Sequence, residues 1–310
     1  MASEPILAAF DLSVGKGSLP SGSKIWFDYF ALTKPEVNFL IVVTTFAGFY
    51  LGCPSARHDF PFLRSMNAVL GTLLVASGTG ALNQYIERGF DAQMRRTARR
   101  PLAAGRLNPS AVLWFGISLS VLGTVYLAAT VNLLASLLAL GTLLSYLFFY
   151  TPLKRKSSLC TLVGAFPGAM PPLIGWAAAS GQLSFGAWIL YSVLFLWQFP
   201  HFMSIAWMYR DDYSRASYLV LPRDERIKAH LVNSQTLLPL LMLVPVSLLP
   251  ALTSKSSAAY CIGAGLLCAG FLYYGARFVL RKSNSSARQL LSASILYLPS
   301  LFALMILLRV

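Results

Sequence analysis

The chain has 310 residues, of which 56% are hydrophobic and 12% are charged, and its mean hydropathy is +0.62. Soluble domains contain about 45–50% apolar and about 25% charged residues, so the composition excludes a water-soluble protein and indicates an all-α polytopic membrane protein. The net charge of +14 does not indicate nucleic-acid binding. The basic residues lie in short loops beside apolar segments, where membrane orientation and anionic lipids account for them.

Nine apolar segments approach the roughly 20 residues that a helix needs to cross about 30 Å of hydrocarbon. Before them, residues 1–24 lack the features of a secretory signal. We therefore expect residues 1–30 to be a poorly ordered cytoplasmic tail and residues 31–310 to form a single domain of nine transmembrane helices. The segments lie at 36–52, 67–86, 111–129, 132–150, 161–179, 184–208, 234–252, 258–276 and 290–308.

The distribution of basic residues predicts the orientation in the membrane. Nine spans place the two termini on opposite sides. Of the 25 Lys and Arg residues, 21 fall on the side of the N-terminus and four on the other side. Because basic loops stay in the cytoplasm, we expect the N-terminus to be cytoplasmic and the C-terminus to be outside.

A charged passage, residues 83–101, overlaps the end of the second segment, and an amide and two acids recur in it every four residues. On a helix this spacing drifts by only about 40° per step, so Asn83, Glu87 and Asp91 lie in one polar row, which we call the acidic stripe. One amide oxygen and two carboxylates suit Mg²⁺, and the arginines around them suit the oxygens of a diphosphate. The alternative is an interfacial helix end, where Glu–Arg pairing and the positive-inside rule explain the same residues.

Two further cytoplasmic loops carry charges. Asp211 and Asp212 follow the sixth segment, where they either bind a second cation or are solvated loop acids. Lys154 and Arg155 follow the fourth segment. These loops and the stripe meet at one face of the bundle, above segments rich in aromatic residues. The ligand that fits this arrangement is a lipid diphosphate whose apolar tail lies in the bilayer.

Several motifs of the chain occur together and in a characteristic order. They are Asn83, Glu87, Arg88, Asp91, Met94, Arg96, Thr97, Arg100, Pro101 and Leu102, with TKP at 33–35, YTPLKR at 150–155, GAMPPLIGW at 168–176, WQFPHF at 197–202 and DY at 212–213. These motifs resemble those of the haem O synthases, the protohaem IX farnesyltransferase branch of the UbiA-type intramembrane prenyltransferases. The resemblance covers about residues 33–222. Gln84 departs from the pattern of relatives that act on aromatic acids, which usually have Asp there, and residues 216–222 depart from the haem branch.

The resemblance implies a nine-helix bundle around a central cavity that opens to the cytoplasmic side, in the inner (plasma) membrane of a bacterium. It also implies a reaction in which the farnesyl group of farnesyl diphosphate is transferred to a vinyl group of haem B and water is added, giving haem O. Mg²⁺ is the implied cofactor, and haem B is a substrate. Membrane lipids and haem A synthase are the expected partners, and no nucleic acid is expected.

Roles for individual residues follow from the resemblance. The expected catalytic residues are Asn83, Glu87, Asp91, Asp212 and His201. The expected metal ligands are Asn83, Glu87, Asp91, Asp211 and Asp212, and the expected diphosphate-binding residues are Lys34, Arg88, Arg96, Arg100, Lys154 and Arg155. The expected haem-binding residues are His201, Gln198 and Trp197.

His201 lies inside the sixth segment, where an ionisable side chain is a functional candidate. The resemblance gives it a haem role, either as an iron ligand or as a group that positions the porphyrin, with Gln198 as a candidate hydrogen-bond partner. The alternative is a neutral histidine bonded to a neighbouring helix.

Other functions remain open at this point. One is a UbiA-type prenyltransferase with another acceptor, such as an aromatic acid or a chlorin. A transporter would need charges near the middle of the membrane or an internal repeat, and the sequence has neither. A purely structural subunit would leave the two acidic patches without a role.

Overall fold

The computed structural model describes residues 22–53, 59–253 and 258–308, and this part of the chain is helical without strands. Within it, nine helical segments are long and apolar enough to span a membrane, which confirms the nine predicted spans. They are Pro35–Gly52, Phe62–Asp91, Pro109–Thr130, Leu133–Leu153, Cys160–Ser180, Phe185–Met208, Glu225–Ala251, Ala258–Arg281 and Asn284–Leu308.

Several of these spans consist of more than one helical element. The helices are α1 Gly22–Leu32, α2 Pro35–Gly52, α3 Phe62–Asp91, α4 Pro109–Thr130, α5 Leu133–Leu144, α6 Thr151–Leu153, α7 Cys160–Gly168, α8 Met170–Ser180, α9 Phe185–Met208, α10 Arg210–Arg215, α11 Glu225–Thr253, α12 Ala258–Arg281 and α13 Asn284–Leu308. Between α5 and α6, the segment Ser145–Tyr150 is π-helical.

Helix α1 begins ahead of the first span and extends across the tail boundary predicted at residue 30. Its Asp28 carboxylate accepts hydrogen bonds from both Nε and Nη2 of Arg106, at 2.9–3.1 Å. Leu32 is fully buried, whereas Trp26 and Phe27 are exposed on the opposite side, as aromatic residues at a membrane interface are. The remainder of the predicted tail, residues 1–21, lies outside the described residues.

Helix α3 carries the acidic stripe in its last turns. Its 30 residues give a length of about 45 Å, which exceeds the hydrocarbon thickness by several turns. Helix α2 packs closely against α8. A Cβ atom at Gly175 would overlap the backbone of Thr45, so only glycine permits this approach. Gly80 of α3 lies against the backbone just before α2, so the start of α2, where Lys34 lies, is held near the end of α3.

Two spans are irregular where hydropathy predicted continuous helices. The fifth span is divided into α7 and α8 at Ala169, because Pro171 and Pro172 follow at once and have no N–H group to continue the helical pattern. The fourth span widens into the π-helical segment, where the Thr151 N–H bonds the carbonyl of Tyr146. The predicted opening of a central cavity to the cytoplasm stays a prediction.

Candidate functional site

Each member of the acidic stripe faces a cation from another part of the chain. All three stripe residues are buried, at 1–5% exposure. The last turns of α3 are contacted by three parts of the chain, which are the turn before α2, the loop after α6 and the loop after α3 itself. Asn83 Oδ1 accepts from Lys34 Nζ at 2.7 Å, Glu87 Oε1 from Lys154 Nζ at 2.8 Å and Asp91 Oδ2 from an Arg100 Nη at 2.7 Å. We call these six residues the rim cluster.

The rim cluster brings two lysines and an arginine together with two carboxylates. Burial and the nearby charges of Arg100 and Lys154 lower the pKa of Lys34 to about 7. Burial alone would also lower the pKa of Lys154, but the Glu87 carboxylate outweighs it and raises that pKa well above its usual value. The cluster therefore favours an anionic ligand. The negative charge of a bound anion would raise the pKa of Lys34 and so increase its protonated fraction.

The oxygen atoms of the cluster fit Mg²⁺ when a ligand completes the coordination. Asp91 Oδ1 is buried and has no hydrogen-bond partner among the described residues. Within this same part of the chain, no three His, Cys, Asp or Glu side chains come together as a metal site. The protein thus offers two carboxylates and the Asn83 amide. Mg²⁺ commonly takes few protein oxygens and completes its shell with phosphate oxygens or water.

The second acidic patch separates into one buried and one exposed residue. Asp212 is buried, forms an ion pair with Arg215 and accepts from the backbone N–H of Arg96 at 3.3 Å. Asp211 is exposed. Adjacent residues of a helix point about 100° apart. Helix α10 therefore directs only one of the two acids towards the loop after α3, which contains Arg96. The structure therefore does not bring Asp211 into the rim cluster.

The remaining predicted diphosphate-binding arginines lie on aromatic rings around the cluster. When the flat face of a guanidinium group packs on an aromatic ring, the group is held in place, and the N–H groups at its edge can still donate hydrogen bonds. Arg155 lies 4.2 Å from the ring centre of Phe90, Arg88 lies 4.6 Å from that of Tyr85, and Arg96 lies 5.0 Å from that of Tyr209.

Tyr218 belongs to the same region and was not predicted. Its side chain is buried against Phe90 and Met94. Burial and the nearby Glu87 carboxylate raise its pKa, so the hydroxyl stays protonated and can donate a hydrogen bond. The next residue, Leu219, donates its N–H to the carbonyl of Lys154 at 2.8 Å. The stretch that departs from the family pattern therefore packs over the cluster, a placement that no local sequence signal indicates.

His201 lies on α9 and faces α13. Its Nδ1 is 2.8 Å from Ser294 Oγ, and its ring stacks on Trp197 at 4.7 Å. The Ser294 hydroxyl also lies 2.6 Å from the carbonyl of Leu291, which can only accept. This arrangement favours the tautomer in which Nδ1 carries the ring proton and donates to Ser294. Nε2 is then left with its lone pair available for a ligand.

The expected pairing of Gln198 with His201 is wrong. The Gln198 Nε2 group donates to the carbonyl of Ala165 on α7, at 2.8 Å. Gly168 makes room for this side chain, because a Cβ atom there would overlap Gln198 Oε1. Trp197 instead donates to the carbonyl of Ser294 at 2.7 Å and so shares a partner residue with the histidine.

The sequence is similar to those of known proteins over most of its length. The sequence model of the UbiA prenyltransferase family matches residues 41–302. The chain is 47% identical to the protoheme IX farnesyltransferase of Solibacter usitatus over 289 residues, covering 90% of this chain and 98% of the relative. It is 43% identical to that of Salinibacter ruber, covering 91% and 98%.

Solved structures share the fold. A digeranylgeranylglyceryl phosphate synthase has a TM-score of 0.73 at 15% identity, covering 91% of this chain and 98% of its own. A UbiA homologue from Archaeoglobus fulgidus, bound to DMAPP and Mg²⁺, has a TM-score of 0.61 at 16% identity, covering 90% and 99%. The family model and the curated relatives establish that the chain belongs to the UbiA prenyltransferase family.

Proposed function

We propose that this membrane enzyme transfers the farnesyl group of farnesyl diphosphate to a vinyl group of haem B, with addition of water, to give haem O. The observation that carries the proposal is the rim cluster, in which buried amide and carboxylate oxygens accept hydrogen bonds from two lysines and an arginine. The protoheme IX farnesyltransferases that match over nearly the whole chain support haem as the acceptor.

The rim cluster would hold the diphosphate. Lys34, Lys154 and Arg100 are placed to donate to its oxygens, and their charges stabilise the electron pair that leaves with the diphosphate when the allylic C–O bond breaks. Mg²⁺ held by Asn83, Glu87 and Asp91 would neutralise part of the same developing charge. The buried position of the cluster strengthens each of these interactions, because little water competes for them.

The acceptor would lie deeper in the membrane, beside His201. This residue is seven positions before the end of α9, which is about 10 Å along the helix axis. The haem vinyl group attacks the farnesyl carbon, and water captures the resulting cation next to the porphyrin and releases a proton. The Nε2 lone pair of His201 would contact the haem iron or a group at the edge of the porphyrin.

The test is product analysis with the purified protein in lipid bilayers, supplied with farnesyl diphosphate, haem B and MgCl₂. We expect haem O, identified by mass, and its loss in excess EDTA. An aromatic acid and a chlorin are offered in parallel reactions. Prenylation of either one with haem B left unchanged would replace the proposed acceptor, and undiminished haem O formation in EDTA would exclude the metal role.

We also propose that the N-terminus is cytoplasmic and the C-terminus outside, in the inner membrane of a bacterium, and that haem A synthase receives the product. The orientation is testable with single cysteines in a variant without native cysteines. Ala104→Cys and Ala258→Cys both place the thiol at an exposed position. An impermeant reagent should label the first only from the cytoplasmic face and the second only from outside. The reverse pattern would invert the orientation.

A further inference from the structure

Thr151 connects the π-helical segment to the acidic stripe. It is 3% exposed, and its hydroxyl oxygen accepts a hydrogen bond from Asn83 Nδ2 at 3.2 Å. The same hydroxyl donates its proton to the carbonyl of Tyr146 at 2.9 Å. Thr151 therefore bonds one predicted metal ligand from a neighbouring span while it remains anchored in its own.

These bonds fix which way the amide of Asn83 points. A hydroxyl group has one proton, and Thr151 has committed it to Tyr146, so only lone pairs face Asn83. The amide must then turn its NH₂ group to Thr151 and its oxygen to the opposite side. That oxygen is the atom that meets Lys34 Nζ at 2.7 Å. A flipped amide would direct two N–H donors at the cations of the rim cluster.

The π-helical segment explains why Thr151 is available for this task. In an α-helix the carbonyl of Tyr146 would accept from residue 150, but in the wider turn it accepts from the Thr151 N–H. Both the N–H and the hydroxyl of one residue thus meet a single carbonyl. The ring of Tyr150 packs on Gly164 of α7, where a Cβ atom would come within 2.6 Å of it. Such wide turns are frequent at functional sites because they reposition a side chain without ending the helix.

We infer that Thr151 is a positioning residue that holds the amide oxygen of Asn83 towards the metal and diphosphate. The inference rests on the proposed function, since it gives a purpose to the orientation of a residue in the rim cluster. Among the described residues, the Thr151 hydroxyl bonds Asn83 and the Tyr146 carbonyl. We therefore expect it to act through Asn83 and not by direct contact with the substrate.

The test compares Thr151→Val with Thr151→Ser. Valine keeps the shape but has no acceptor for Asn83, whereas serine keeps the hydroxyl. Binding of radiolabelled farnesyl diphosphate without haem is measured as MgCl₂ is increased. We expect the Mg²⁺ concentration for half-maximal binding to rise about 10–100-fold in the valine variant, the usual effect of losing a partner behind a metal ligand. The serine variant should stay close to the wild type.

Thr142→Val is the matched control, because the Thr142 hydroxyl bonds the carbonyl of Leu138 in its own helix, at 2.7 Å, and bonds no side chain of another helix in the described part of the chain. It should leave the Mg²⁺ dependence unchanged. If Thr151→Val does not fold, Thr151→Ala makes the same comparison. A normal Mg²⁺ dependence in the hydroxyl-free variant, with binding lost in Asn83→Ala, would refute the inference alone. Normal binding in Asn83→Ala as well would refute the metal role on which it rests.

Discussion

Asp91→Asn should lower the rate of farnesyl transfer by about 10²–10³-fold, the range seen when one group that stabilises developing charge is removed from an active site. The wild-type carboxylate pairs with Arg100 through Oδ2, and its buried Oδ1 has no hydrogen-bond partner within the described ranges. The amide removes the negative charge and turns an NH₂ group towards either the guanidinium or the metal position. The measurement is haem O formed per unit time at saturating MgCl₂, with thermal unfolding as a check of folding.

Asp211→Asn is the control for this prediction. It makes the same chemical change at an exposed acid outside the rim cluster, and we expect nearly full activity. Full activity in Asp91→Asn would contradict the assignment of the stripe. A loss in Asp211→Asn as large as in Asp91→Asn would show that the exposed acid belongs to the site, as the sequence had predicted.

The helices and the acidic stripe could be predicted because they depend on local properties. Apolar length alone identifies a transmembrane span, and a spacing of four residues places Asn83, Glu87 and Asp91 on one face wherever α3 lies. The same reasoning cannot supply their partners. Lys34 is 49 residues from Asn83, and Lys154 is 67 residues from Glu87, so both contacts depend on how α2 and α6 pack beside α3.

Hydrogen-bond partners on other helices could not be predicted from local properties. Gln198 and His201 are three residues apart on α9, which places them near each other, but their partners are determined by which helix each side chain reaches. Gln198 bonds Ala165 of α7, and His201 bonds Ser294 of α13. The π-helical turn before Thr151 is equally invisible to hydropathy, because a shift in backbone hydrogen bonding does not change which residues are apolar.

The second large effect is expected at His201, and it separates haem recognition from diphosphate binding. His201→Ala should abolish haem O formation and leave the Mg²⁺-dependent binding of farnesyl diphosphate close to that of the wild type. The two sets of contacts do not overlap, since the hydrogen bonds of the rim cluster involve α3 and the loops around it, whereas His201 is bonded to Ser294 of α13. His230→Ala is the control, because that histidine is exposed on α11.

An optical titration with haem B distinguishes ligation of the iron from positioning of the porphyrin. The proton on Nδ1 is held by Ser294, so the lone pair of Nε2 is available to the iron. Ligation therefore predicts a Soret shift in the wild type that disappears in His201→Ala and does not return in His201→Gln, which has no imidazole. Recovery of part of the activity in the glutamine variant, without the shift, would assign a positioning role. If His201→Ala makes haem O at the normal rate, the histidine only packs α9 against α13, and the haem must be bound elsewhere.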